Sequence, residues 1–202
     1  WKPEQTDSFF KPDRSPDAGT LFEHCARAID ASLRMGVHGL PLMGTGDWND
    51  GMNRVGAGGK GESAWMGWFL IKVIGDFAPF AEDRRDARLV RWRDFARAQE
   101  LALETKAWDG AWYRRAFYDD GTPLGTSADT ECRVESMAQS WAVISGRGDA
   151  ERAERAMRAV NENLVRSSEG FVALFSEPFD KTTHDPGYIK GYPPGVRENG
   201  GQ

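Results

Sequence analysis

Cysteine is nearly absent from this 202-residue chain, with Cys25 and Cys132 the only two. One widely separated pair cannot staple a small scaffold, so both read as free thiols in a reducing compartment. Histidine is almost as scarce. His24, His38 and His184 share no metal-ligand spacing, and neither a zinc site nor a catalytic triad is readable around them. No run of about 18 apolar residues could cross a bilayer, and no signal-peptide pattern is readable. A basic excess is also missing: 26 Lys and Arg stand against 31 Asp and Glu, well mixed, for a net charge of -5. That balance argues against a nucleic-acid-binding face. What the chain does have is 40% hydrophobic residues, enough at this length for one domain with a real core.

The sequence opens WKPEQTDSFF without Met and closes RENGGQ in glycine-rich polar sequence. It reads as an internal piece of a longer chain. Residues 1–19, rich in Pro, Asp and Ser, are expected to be an irregular lead-in, and 20–202 the folded part.

Thr20 and Glu23 form a T-x-x-E capping box. It opens a helix through Met35 with Leu21, Cys25, Ala28, Ile29 and Leu33 on one face, ended by Gly36. A glycine-rich loop follows from 36 to about 61. Loops that long inside a domain are usually functional. Further helices are expected over about 62–78 (apolar nearly all round, hence buried), 83–106, 133–145 and 149–165. Asp120-Gly121 between aromatics marks a small β-hairpin. The fold class is therefore all-α, with inner apolar helices alternating with outer charged ones. That suits a helical toroid or solenoid. A plain bundle fits the same elements, and no sequence repeat decides between them.

The stretch GTGDWNDGMN, residues 44–53, carries the chemistry. Asp, Asn and Gly are ordinary turn residues. Two carboxylates and an indole between glycines also suit a sugar site: Trp48 as a stacking platform and one carboxyl as proton donor. If Asp47 and Asp50 faced one pocket, their repulsion would raise one pKa, as an acid catalyst needs. Trp65, Trp68 and Trp92 have helical spacing and read as core. Trp108, Trp112, Tyr188 and Tyr192 lie in loops, where core packing and sugar stacking compete. GAGGKGES, residues 56–63, could rest a phosphate on backbone amides, but it is not a Walker A pattern. Arg114 and Arg115 alternate faces in the hairpin, one of them free to pair with a carboxylate.

HGLPLMGTGDWNDGMNRVGAGGKGESAWMGWFL, AWDGAWYRRAFYDDGTPLG and DPGYIKGYPPGVRENGGQ together resemble glycoside hydrolase family 94. Within it they look most like the phosphorylase-type region of cyclic β-1,2-glucan synthases. The resemblance implies part of an (α/α)6 toroid with long glycine-rich active-site loops, residues 20–202 being a partial catalytic domain. It implies inverting phosphorolysis of a β-linked glucan, serving chain-length control, with release of α-glucose 1-phosphate. Inorganic phosphate is the co-substrate, and no metal or further cofactor is required. Carried over residue by residue, it makes Asp50 the general acid. Trp48 then lines the donor-sugar subsite, and Asp47, Asn49, Tyr192 and Glu198 are substrate-binding residues, Asp47 shaping the loop or binding a hydroxyl and Glu198 touching donor hydroxyls or the anomeric region. The family's phosphate-gripping His falls beyond Gln202, so the rest of a parent chain is expected to complete the toroid. That parent is expected on the cytoplasmic side of a bacterial inner membrane. A free-standing β-oligoglucan or cellobiose-type phosphorylase, or a non-catalytic glucan-binding module, are the alternatives.

Overall fold

Five helices and five two-residue strands build the chain in the computed structural model, which describes residues 11–201. The expected lead-in lies partly outside the described residues; 11–19 hold no helix or strand. Helix α1 (Leu21–Ser32) starts where Thr20 accepts a hydrogen bond from the Glu23 N–H at 3.2 Å. Only half of the capping box forms, because the Glu23 carboxylate turns to Arg88 instead, at 3.0 Å. The helix stops earlier than Met35. Met35 bridges Pro41 and Leu42 bridges Glu62, which draws the chain away from the helix axis. Gly36 passes so close to Glu62 that a Cβ there would lie 2.4 Å from its Cδ.

Helix α2 (Ala64–Asp83) is the central element. It begins two residues later than its apolar run suggests, because Glu62–Ser63 form strand β1. This strand pairs antiparallel with β2 (Ala116–Phe117), which pairs with β3 (Pro123–Leu124). The expected hairpin at Asp120-Gly121 is present, and the loop before α2 adds a third strand to it. Helix α3 (Arg88–Ala102) starts after a tight turn and ends in a π-helical segment, Leu103–Ala107. There the Glu104 carbonyl accepts from Arg152 at 2.5 Å.

Helix α4 (Ser136–Ile144) is capped by Glu135, which accepts from the Ala138 N–H at 2.9 Å. Helix α5 (Ala150–Asn163) is capped by Asp149. Its expected last turn is instead strand β4 (Val165–Arg166), paired with β5 (Phe171–Val172). The fold is thus mostly helical rather than purely so.

Three apolar clusters hold these elements. The largest joins α2, α4 and α5 around Trp68, Tyr113, Leu103 and Leu164. A second packs α1, α2 and α3 around Trp92, whose indole N–H donates to Asp30 at 2.7 Å. The third lies under the loops, where Met52, Val55, Phe175, Phe179 and Ile189 meet. No helix of the described residues is long and apolar enough to cross a membrane.

Candidate functional site

Asp50 opens a single 3-10 turn, Asp50–Met52, in the long segment between α1 and α2. Asn49 caps it, its Oδ1 accepting the Gly51 N–H at 3.0 Å, while Asp47 accepts the Asn49 N–H at 3.1 Å. Asx turns of this kind fix a loop without helix or sheet. The Asp50 side chain is exposed and has no hydrogen-bond partner among the described residues.

Asp47 has the opposite environment, so the condition under which the two carboxylates would share a pocket is not met by their burial. Its side chain is buried. The Arg115 guanidinium grips both oxygens at 2.7 Å, and Ser63 Oγ donates to one of them at 2.7 Å. Burial pushes the Asp47 carboxyl up, but Arg115, Ser63 and the Asn49 N–H outweigh it and hold the carboxyl below its ordinary range. Both Asp47 oxygens are thus taken up by groups of the chain itself.

Trp48 is partly buried against the α2 cluster, with its indole N–H buried and unpartnered among the described residues. Asn49 is buried, and its Nδ2 also lacks a partner.

The chain's last segment closes over this turn. Tyr188–Gly191 form another 3-10 turn that packs on Asp50–Met52. Tyr188 N–H donates to Asn53 Oδ1 at 3.2 Å, and Arg54 N–H to the Pro186 carbonyl at 3.3 Å. Tyr188 and Tyr192 meet edge to face, ring centroids 6.2 Å apart. Burial pushes the Tyr188 phenol up, and the negative charge of Asp50, with Tyr192 and Glu198, adds to it. Tyr192 thus lies against Tyr188, whose turn packs on the turn that Asp50 opens. Arg197 stacks on Tyr192 at 4.6 Å and pairs with Glu198 at 3.3 Å. Buried Asn199 pins the segment: its Oδ1 accepts the Phe179 N–H and its Nδ2 donates to the Phe179 and Tyr192 carbonyls.

Several structural carboxylates were not legible. Glu135 is buried 3.6 Å from Arg115 Nε. Burial raises its pKa from the ordinary 4.5 to about 7, against the pull of Arg115. Buried Glu62 accepts the N–H groups of His38 and Leu40 and meets His38 Nδ1 at 2.5 Å. The phosphate reading of residues 56–63 is overturned as well. The N–H groups of Gly58, Lys60 and Gly61 all donate to the Asp119 carboxylate, at 2.6 to 2.8 Å. Arg114 and Arg115 are both paired, Arg114 with Asp109 at 3.2 Å. Among the described residues no group of three or more His, Cys, Asp or Glu could hold a metal ion.

Residues 7–202 match the family model described as glycosyl hydrolase 94 superfamily, catalytic domain. The chain belongs to this superfamily. It is 54% identical over 200 residues to the cyclic beta-(1,2)-glucan synthase NdvB of Rhizobium meliloti strain 1021, covering 98% of this chain and 7% of that protein. It is 37% identical over 186 residues to the solabiose phosphorylase of Paenibacillus borealis, covering 91% of this chain and 24% of that one. A 3-O-beta-D-glucopyranosyl-beta-D-glucuronide phosphorylase of the same organism is 39% identical over 149 residues, 73% of this chain and 19% of that one. The chain thus spans a quarter or less of each of these relatives. Within the glycosyl hydrolase 94 match fall the Asp50 turn and the Tyr188–Glu198 segment that covers it.

Proposed function

We propose that this chain is part of an inverting phosphorylase-type catalytic domain acting on β-1,2-glucan, with Asp50 as general acid and inorganic phosphate as nucleophile. The observation that carries this reading is the division of labour within D-W-N-D: Asp47 is buried and paired with Arg115, while Asp50 stays exposed on a turn packed against the Tyr188 turn.

Protonated Asp50 gives its proton to the bridging oxygen as the C1–O bond breaks. A phosphate oxygen forms its bond to C1 from the opposite face, inverting the centre. The products are α-glucose 1-phosphate and a glucan one sugar shorter, and Asp50 regains its proton from solvent. Trp48 holds the donor ring, while Asn49, Tyr192 and Glu198 contact its hydroxyls. Because phosphate is the nucleophile, no second carboxylate has to activate water. The 54% identity to a cyclic beta-(1,2)-glucan synthase supports β-1,2-glucan as the substrate. On this reading the parent trims glucan chains to length as a bacterial inner-membrane protein with this region on the cytoplasmic side, and flanking sequence supplies the rest of an (α/α)6 toroid. The identity to solabiose phosphorylase favours one second reading, a free-standing β-glucoside phosphorylase.

The test uses the intact parent domain with linear β-1,2-glucooligosaccharide, anomeric products being followed by proton NMR with and without phosphate. α-Glucose 1-phosphate formed only with phosphate is the expected result. α-Configured free glucose released without phosphate makes the protein an inverting hydrolase. Glucan binding without any release makes it a binding module.

A further inference from the structure

Arg115 is the most fully enclosed charge among the described residues, and the proposed reaction gives it no direct part. Its backbone is fixed in the small sheet: its N–H donates to the Leu124 carbonyl at 2.8 Å, and its own carbonyl accepts from Ala64 at 3.1 Å, at the start of α2. Its side chain is wholly buried. The guanidinium reaches three groups from three elements. It holds both oxygens of Asp47 at 2.7 Å, lies 3.2 Å from Ser63 Oγ at the α2 N-terminus, and lies 3.6 Å from Glu135 at the α4 N-terminus.

From Asp47 the connection runs on without a gap. The carboxylate that Arg115 grips also accepts the Asn49 N–H, and Asn49 in turn caps the turn that begins at Asp50. A burial this complete gains nothing for a solvated loop and costs desolvation of both ions. The bidentate fork supplies direction instead: two parallel bonds fix the plane of the Asp47 carboxylate, and with it the Asn49 N–H.

We infer that Arg115 is a positioning residue for the proposed acid, setting the place of the Asp50 carboxyl through Asp47 and Asn49. This inference rests on the proposed function. Arg115 touches no substrate. It ties the exposed proton donor to the junction of the small sheet, α2 and α4. Lysine cannot replace it, because a single ammonium cannot hold both Asp47 oxygens in one plane.

The experiment is made in the intact parent domain with Arg115→Lys, Ser63→Ala and Asp50→Asn. Each is assayed with phosphate on two substrates: β-1,2-glucooligosaccharide, whose leaving alkoxide needs a proton, and 2,4-dinitrophenyl β-glucoside, whose phenolate leaves without one. Arg115→Lys should lower kcat on the glucan about ten- to a hundredfold, the scale of a misplaced catalytic group, with KM nearly unchanged. The deficit should shrink to within a few-fold on the aryl glucoside, as it should for Asp50→Asn. Arg115→Lys with wild-type kcat overturns the inference. So does an equal deficit on both substrates while Asp50→Asn is restored by the aryl glucoside, because a general loosening of the fold does not read the leaving group. If Arg115→Lys does not fold, Ser63→Ala decides by the same comparison. Absence of α-glucose 1-phosphate from the wild type is a different result, since it overturns the proposed function itself.

Discussion

Two aspartates three positions apart show how far environment outweighs residue type. Asp47 lies against Arg115, 68 residues away in sequence, and has become a structural anion. Asp50 meets solvent and remains available for proton transfer. Their replacements should fail differently. Asp50→Asn should lower kcat for phosphorolysis by about 10²- to 10⁴-fold, the usual worth of a general acid, while glucan affinity by calorimetry stays near wild type. Unchanged turnover would remove Asp50 from the acid role. Asp47→Ala should act on stability first, because it strands a fully buried guanidinium. The expected cost is about 3–5 kcal/mol in denaturant unfolding of the parent domain. A cost below about 1 kcal/mol, typical of exposed ion pairs, would mean that the pair is solvated.

The elements that build the site are irregular, and carboxylates hold them in place. Glu62 gathers the backbone of His38 and Leu40, Asp119 that of Gly58, Lys60 and Gly61, and Glu131 that of Asp180, Lys181 and Thr182. Periodicity could place α5 nearly correctly, because its apolar face repeats at helical spacing, and the length of the apolar run could place most of α2, which continues past residue 78 to Asp83. The D-W-N-D loop stands out in the sequence because an indole and two carboxylates lie between glycines, whereas Glu198 enters only through the resemblance to the family. The nests were not legible, since each joins a carboxylate to amides far away in sequence and leaves no local pattern. The same distance hid the Arg115 ion pair and the strand pairing of Glu62–Ser63, whose apolar flank reads as helix. The contact between the two turns of the site gives an element-scale prediction. In Gly51→Ala the new Cβ would lie 2.8 Å from Ile189 Cβ. The Tyr188 turn must then lift from the Asp50 turn, at a cost of about 1–3 kcal/mol typical of overpacking. Thermal unfolding checks the stability. A loss of glucan turnover in the folded variant, with the aryl glucoside less affected, would show that the displaced turn disturbs the acid. Wild-type stability would mean that the two turns are not packed as described.

Across the whole molecule, the buried charges make stability depend on pH in two opposite ways. Asp47, Asp119 and Glu131 all have carboxyls held below their ordinary range, Asp47 by Arg115 and the other two by backbone N–H groups acting against burial. Their contribution is present above the pKa of the unfolded chain and is lost as pH falls through the folded values, below about pH 4. Glu135 works the other way. Its pKa rises from 4.5 unfolded to about 7 folded, so between those values the native state keeps a proton that the unfolded chain releases. Over that window stability falls as pH rises, with a slope approaching about 1.4 kcal/mol per pH unit for one proton, and above it the loss is complete. Arg115, Asp47 and Cys132 are the charged or titratable groups acting on Glu135. Arg115 is always cationic, Asp47 is already ionised, and burial keeps the Cys132 thiol protonated, so none of them titrates inside the window. Glu135→Gln keeps an acceptor for the Ala138 N–H and removes the titration. Denaturant unfolding of the parent domain from pH 4.5 to 8 should therefore decline in the wild type and run flatter in Glu135→Gln, the two curves parting most above pH 7. Equal slopes would mean that Glu135 is ionised in the native state throughout, with Arg115 shared evenly between Asp47 and Glu135 rather than committed to the loop that carries Asp50.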